Sequence, residues 1–176
     1  MAHIPKPQEV FESAFTVLME FEGYMSDDLA DAGGLTKFGI SQKSYPDLDI
    51  ASLTMADAKA IYESDYFRRS HAHTLPPLLA CNVFDTAVNM GTGRAVRFLQ
   101  RAIGTTADGI FGSGSRRQLE SALTHQGEEN VVLDLLSYRA VFYAKLAARK
   151  TTQSKYLRGW MRRTYRLQQY INSQSW

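Results

Sequence analysis

The chain reads as a mainly α fold with one small β-hairpin. Three observations predict this: apolar residues recur at helical spacing in successive runs, glycine and proline punctuate those runs, and Leu35 to Ser41 alone has the look of a short strand. At 176 residues and 44% hydrophobic content the chain fits one domain with a core of its own.

In the first helix Val10, Phe11, Ala14, Phe15, Val17, Leu18 and Phe21 fall on one face, and the run stops at Glu22, just before Gly23. Asp31 precedes Ala32-Gly33-Gly34, a tight turn in which glycine allows positive φ. Leu35 to Ser41 then returns as a strand and carries Thr36 back toward Glu22. Thr54 followed by Asp57 forms a capping box that opens a helix bearing Met55, Ala58, Ile61, Tyr62 and Tyr66. Pro76-Pro77 starts a strongly apolar helix through Met90, the expected buried centre of the fold. Gly91-Thr92-Gly93 separates it from a helix spanning about Arg94 to Ile103. Asp108-Gly109-Ile110-Phe111-Gly112 reads as an interhelical loop with Ile110 and Phe111 plugging the core. In the last helix Arg158, Arg162 and Arg166 recur every four residues, opposite Tyr156, Leu157, Trp160, Met161, Leu167 and Ile171. Residues 1–8 read as an extension, 9–172 as one domain and 173–176 as a tail.

Bulk properties narrow the chemistry. Cys81 is the only cysteine, so no internal disulfide forms, and its apolar neighbours predict a buried, inert thiol. The N-terminus lacks an apolar run of signal-peptide length and no stretch is long enough to span a bilayer, which predicts a product made in the cytoplasm. From Leu135 to Trp176 there are nine Lys and Arg and no Asp or Glu, a basic segment that attracts polyanions, for which peptidoglycan stem peptides, associated wall polymers and an anionic membrane surface all qualify. No nucleic-acid-binding signature accompanies the charge. His71 and His73 have no third ligand nearby, and Asp27, Asp28 and Asp31 lack calcium-loop spacing, so neither a metal nor another cofactor is expected.

Glu22 and Asp31 are the carboxylates of interest. Cleaving a glycosidic bond takes one acid that keeps its proton near neutral pH and one carboxylate that acts on water or on the sugar cation. A carboxyl at a helix end on a cleft edge is partly desolvated, which raises its pKa. A polar turn keeps the other ionised, and the Thr36 hydroxyl can hold the attacking water. Glu20, Asp27 and Asp28 compete for these roles, although Glu20 lies about 160° around the helix from Glu22.

The string from Glu22-Gly23-Tyr24 through Asp31-Ala32-Gly33-Gly34 to Thr36 and Gly39-Ile40 resembles the signature of the glycoside hydrolase family 108 N-acetylmuramidases, a group of phage-type lysozymes and secretion-associated muramidases. Aligned without a gap, the family's catalytic Glu, Asp and Thr fall on Glu22, Asp31 and Thr36. Tyr24 stands where the family has a second Gly, and Ala32 where it has Pro, which removes a fixed φ from the turn. Leu75-Pro76-Pro77 with Val83 to Gly91, Leu99 to Gly104 with Asp108 to Gly112, and the segments around Tyr138 and Tyr156 to Arg163 are similar to later parts of the family.

The resemblance implies a lysozyme-like fold with the hairpin beside the active-site cleft, residues 9–74 forming the catalytic part and 75–172 a helical peptidoglycan-associated part. It implies hydrolysis of the β-1,4 bond between N-acetylmuramic acid and N-acetylglucosamine, with no cofactor; a monomer is expected, although the sequence is silent on oligomeric state. Glu22 is the proton donor, while Tyr24, Lys37, Tyr66, Asp85, Asn89 and Gln100 are candidates to contact glycan or stem peptide. The enzyme would reach the wall through a holin lesion, export or injection. A lytic transglycosylase and a non-hydrolytic wall-binding adaptor on the same fold are the alternatives.

Overall fold

The computed structural model describes the backbone of residues 4–22 and 35–174, and the side chains of 4–20 and 35–174. The mainly α expectation holds. Helix α1 spans Pro7–Glu22, α2 Met55–Tyr62, α3 Pro77–Met90, α4 Thr92–Ala102, α5 Ser113–Gln126, α6 Glu128–Arg149 and α7 Leu157–Asn172. The strands β1 (Thr36–Lys37) and β2 (Ile40–Ser41) form the two-stranded antiparallel sheet.

Helix α3 is the centre, as its composition predicts. Leu79 through Ala87 are all buried, and α3 packs against α1, α4, α6 and α7. A helix enclosed on most sides needs apolar residues all round, and its few polar groups must then find partners inside. Asn82 donates to the Val132 carbonyl of α6 at 3.3 Å. The first turn of α3 has no side-chain cap of its own behind Pro76, and Glu128 from the start of α6 accepts the Leu79 N–H at 2.9 Å. Burial raises the Glu128 pKa, opposed by these backbone N–H groups.

Helix α1 seats its apolar face against α3 through aromatic rings. Phe11, fully buried, lies 5.7 Å from Phe84, 5.2 Å from Phe67 and 5.8 Å from Phe15 between ring centroids. Burying such a ring stabilises by about 1.5–3 kcal/mol. Polar ties set the neighbouring elements: Ser13 and Tyr170 of α7 share a hydrogen bond of 2.6 Å, and Lys59 of α2 pairs with Glu12.

The capping box is present, with the Asp57 N–H donating to Thr54 Oγ1 at 3.2 Å and the Thr54 N–H to Asp57 Oδ2 at 3.0 Å. Helix α2 runs on into a π-helical turn, Glu63–Arg68. At the other end of α3 the break falls on a single residue, since Gly91, at φ 89°, ends α3 and also precedes α4.

Two expectations change. Leu35 to Ser41 is a complete hairpin rather than one returning strand: Thr36 faces Ser41, Lys37 faces Ile40, and the chain reverses at Phe38-Gly39. Both turn residues have positive φ, 53° and 76°, as a type I′ turn requires. In the Asp108–Gly112 loop only Phe111 plugs the core, while Ile110 is 72% exposed. Neighbouring residues on an extended loop point opposite ways, so one apolar side chain seats and the next cannot. Cys81 is buried, and burial pushes its thiol well above the usual range, which leaves it inert. No described helix is long and apolar enough to cross a membrane.

Candidate active site

Glu22 is the last residue of α1. Tyr24 and Asp31 lie outside the described residues. Thr36 opens β1 and is partly buried. The described elements that carry or hold these residues are thus α1, the hairpin and α2.

The hairpin is pinned by its turn. Tyr62, the last residue of α2, donates its hydroxyl to the Phe38 carbonyl at 3.0 Å. Gly39 sits against the same hydroxyl, and a Cβ built there would lie 2.6 Å from the Tyr62 oxygen. Position 39 therefore requires glycine twice over, for its φ and for this close approach. Tyr62 is in turn held by rings on both sides, 5.7 Å from Phe15 of α1 and 5.5 Å from Tyr66. A continuous aromatic stack thereby fixes the hairpin relative to α1.

Below the hairpin, Gln42 Nε2 donates to the carbonyls of Tyr45, Pro46 and Leu48 at 3.2, 2.9 and 2.8 Å, which gathers the following loop. Lys37 is tied to that loop: its ammonium donates to the Ala51 carbonyl at 3.0 Å and lies 5.6 Å from the Phe38 ring centroid. Tyr66 is partly buried, with its hydroxyl beside Tyr45, whose own hydroxyl donates to Asp65 at 2.9 Å. Burial first, then the Tyr66 and Asp65 oxygens, raises the Tyr45 pKa and keeps that phenol neutral.

Asp85 and Gln100, both named above for substrate contact, belong to the interior. Asp85 is 4% exposed and accepts from two arginines, Arg139 at 2.5 Å and Arg163 at 2.8 and 3.1 Å. Burial drives its carboxyl up, but the Arg163 and Arg139 guanidiniums outweigh that and hold it below the usual carboxylate range. Gln100 is 1% exposed and organises the Asp108–Gly112 loop: Nε2 donates to Asp108 at 2.7 Å and to the Ile110 carbonyl at 3.1 Å, and Oε1 accepts from the Gly109 N–H at 2.8 Å. Both side chains satisfy buried partners rather than a surface.

Asn89 is exposed at the last turn of α3, with Oδ1 accepting from the Tyr143 hydroxyl. It lines a recess of about 290 Å³ with Gly159, Trp160, Arg162, Arg163 and Arg166. Sequence reasoning passed over Trp160, Arg162 and Arg163 as site residues, although their clustering in an acid-free segment was the available signal. Among the described residues, Thr36 and Lys37 lie on the hairpin, Tyr66 on the π-helical turn that continues α2, and Asn89 at the arginine recess, while Glu22 is described only as the last residue of α1.

Comparison with known proteins follows this division. Residues 15–91 match the family model described as Glycosyl hydrolase 108, and residues 94–165 match one described as Predicted Peptidoglycan domain. The junction falls at the α3–α4 break. No curated protein matches the chain. Among solved structures, one titled "Structure of Brucella abortus SagA" superposes with a TM-score of 0.78 at 23% identity, covering 96% of this chain and 97% of that one, a likeness of fold. Residues 15–91, which span the end of α1 and the hairpin, are thus similar to glycosyl hydrolase 108, and the peptidoglycan match continues from them; together they support a glycoside hydrolase that acts on peptidoglycan.

Proposed function

We propose that the protein is an N-acetylmuramidase that hydrolyses the β-1,4 bond between N-acetylmuramic acid and N-acetylglucosamine, with Glu22 as general acid. Asp31, with Thr36, positions or activates water and stabilises positive charge on the sugar ring. The observation that carries this reading is that the hydrolase match, residues 15–91, contains all three residues, with Glu22 the last residue of α1 and Thr36 on a hairpin whose turn is held by Tyr62 of α2.

The chemistry follows from this division of labour. An acid at a helix C-terminus feels the negative end of the helix dipole, which disfavours its ionised form and helps it keep a proton. Protonating the glycosidic oxygen lets the bond to the leaving sugar break as positive charge develops on the ring, and an ionised carboxylate nearby stabilises that charge. We favour inversion, in which the second carboxylate activates water on the opposite face; carboxyl groups about 6.5–9.5 Å apart would leave room for that water.

Digestion of purified peptidoglycan by the wild type and by Glu22→Gln, with fragments identified by mass, tests the proposal. Hydrolysis adds one water to each cleaved pair, whereas a lytic transglycosylase yields 1,6-anhydro ends. Wild-type cleavage by Glu22→Gln would remove Glu22 from the acid role, and intact activity in Asp31→Asn would remove the second carboxylate.

A further inference from the structure

Helix α6 is the longest described helix, and only its inner side is covered, by α3, α4, α5 and α7. On its outer side Asp134, Tyr138, Val141 and Lys145 are all exposed, Tyr138 by 39% and Val141 by 49%. They follow one another at intervals of four, three and four residues. That spacing keeps them in one stripe along the helix and is the repeat by which one helix forms a seam with another. Among the described residues, none of the four side chains has a hydrogen-bond or ion-pair partner. Asp134 and Lys145 cannot serve each other within one chain, since eleven residues of helix hold them about 16 Å apart.

The stripe is complementary to itself when reversed. Asp134 and Lys145 lie equally far from its midpoint, between Arg139 and Ala140, and so do Tyr138 and Val141. A second α6 laid antiparallel on the first, about a two-fold axis through that midpoint, brings Asp134 of each copy to Lys145 of the other and Tyr138 to Val141. Two ion pairs then flank an apolar centre, as an isologous contact requires. A parallel pairing would instead set Asp134 on Asp134 and Lys145 on Lys145. The basic helix α7 stays clear of the contact. It packs where Leu133, Leu136 and Ala140 line the α6–α7 recess, roughly 135° around α6 from the stripe at about 100° per residue, so its exposed Arg158, Arg162 and Arg166 ride on a helix remote from the seam.

We propose that the protein associates with a second copy of itself as a two-fold dimer, through antiparallel pairing of the Asp134, Tyr138, Val141 and Lys145 stripe of α6. This departs from the monomer expected from the sequence, and it does not rest on the muramidase reading. An anionic membrane fits less well, because Asp134 at one end of the stripe is repelled by the surface that Lys145 at the other would attract. A seam of about three helical turns is small, which places the dimer among weak, reversible associations.

Sedimentation equilibrium of the full-length protein tests this. The wild type should pass from monomer to dimer as its concentration rises through the micromolar range. Asp134→Lys and Lys145→Asp each set like charges opposite one another at both ends of the seam, and each should weaken the dimer about tenfold. The double variant Asp134→Lys/Lys145→Asp restores opposite charges and should dimerise within about threefold of the wild type. Both side chains are exposed, so thermal unfolding of the three variants should stay close to that of the wild type. A wild type that stays monomeric up to millimolar concentration, a dimer indifferent to both single reversals, or a double variant that fails to recover would each overturn the proposal. So would a monomeric wild type that binds phosphatidylglycerol vesicles and loses that binding on Lys145→Asp, which would give the face to a membrane.

Discussion

The hairpin corner and the α3–α6–α7 interior are built in opposite ways. The hairpin has two residues in each strand and is held mainly at its turn, by the Tyr62 hydroxyl on the Phe38 carbonyl and by the absence of a side chain at Gly39. The interior is held by a carboxylate between two guanidiniums, buried where charge is costly unless paired. The contrast teaches where each kind of damage should register: changes at the corner should cost turnover more than stability, and changes in the interior should cost stability first.

The largest expected effect is at the corner. Glu22→Gln should lower wall hydrolysis by about 10²–10⁴-fold, the usual worth of general acid catalysis, with the melting temperature unchanged. A variant that lost its fold along with its activity would break the comparison.

Asp85→Asn should do the reverse, destabilising by about 3–5 kcal/mol because buried Arg139 and partly buried Arg163 lose the carboxylate they share. Urea unfolding measures it. The pH dependence has a definite sign. The folded carboxyl lies below its ordinary 3.8, so its contribution is complete above that value and is lost as pH falls through the lowered folded pKa; the variant should lack this acid-side loss.

Gly39→Ala should cost about 1–3 kcal/mol, since φ 76° strains any side chain and the Cβ meets the Tyr62 oxygen. Adding Tyr62→Phe should remove the collision but not the strain, restoring part of the loss in thermal unfolding. Relative to stability, activity should suffer more than in Asp85→Asn.

Thr54→Ala removes one arm of the α2 capping box and should cost about 1 kcal/mol by chemical denaturation. The smallest effect sharpens the interior side. Because burial raises the Glu128 pKa in the folded state, its contribution is present below the ordinary value of 4.5 and is lost as pH rises through the folded one. Glu128→Gln keeps an oxygen for the Leu79 N–H and should flatten that slope, with less than about 1 kcal/mol change at acidic pH.

Much of the helical frame was legible because its determinants are local. The end of α1 at Glu22, the Thr54 and Asp57 cap, the start of α3 at Pro77 and its end at Gly91 each depend on a few neighbouring residues. Gln100 was half legible: a polar side chain on an apolar helix signals burial, and its loop partners lie only eight to ten residues on. Asp85 gave the same signal, but its partners are 54 and 78 residues away, and no local pattern selects Arg139 and Arg163 from twenty cations. The hairpin turn was missed because Phe38-Gly39 replaces the usual Asn-Gly or Asp-Gly, so the Gly-Gly pair upstream drew the prediction instead. At the site, Glu22 and Thr36 came from motif order, whereas the arginine recess comes from side chains meeting across α3, α6 and α7.

The central helix lies within the hydrolase segment, yet its buried sides are covered by α4, α6 and α7 of the peptidoglycan segment as well as by α1. A gene fusion cut at Gly91 would hand α3 to one product and most of its covering to the other, leaving both with raw apolar surface. Recombination at that seam cannot shuffle these halves like beads on a string, and the pair must be inherited, and engineered, together.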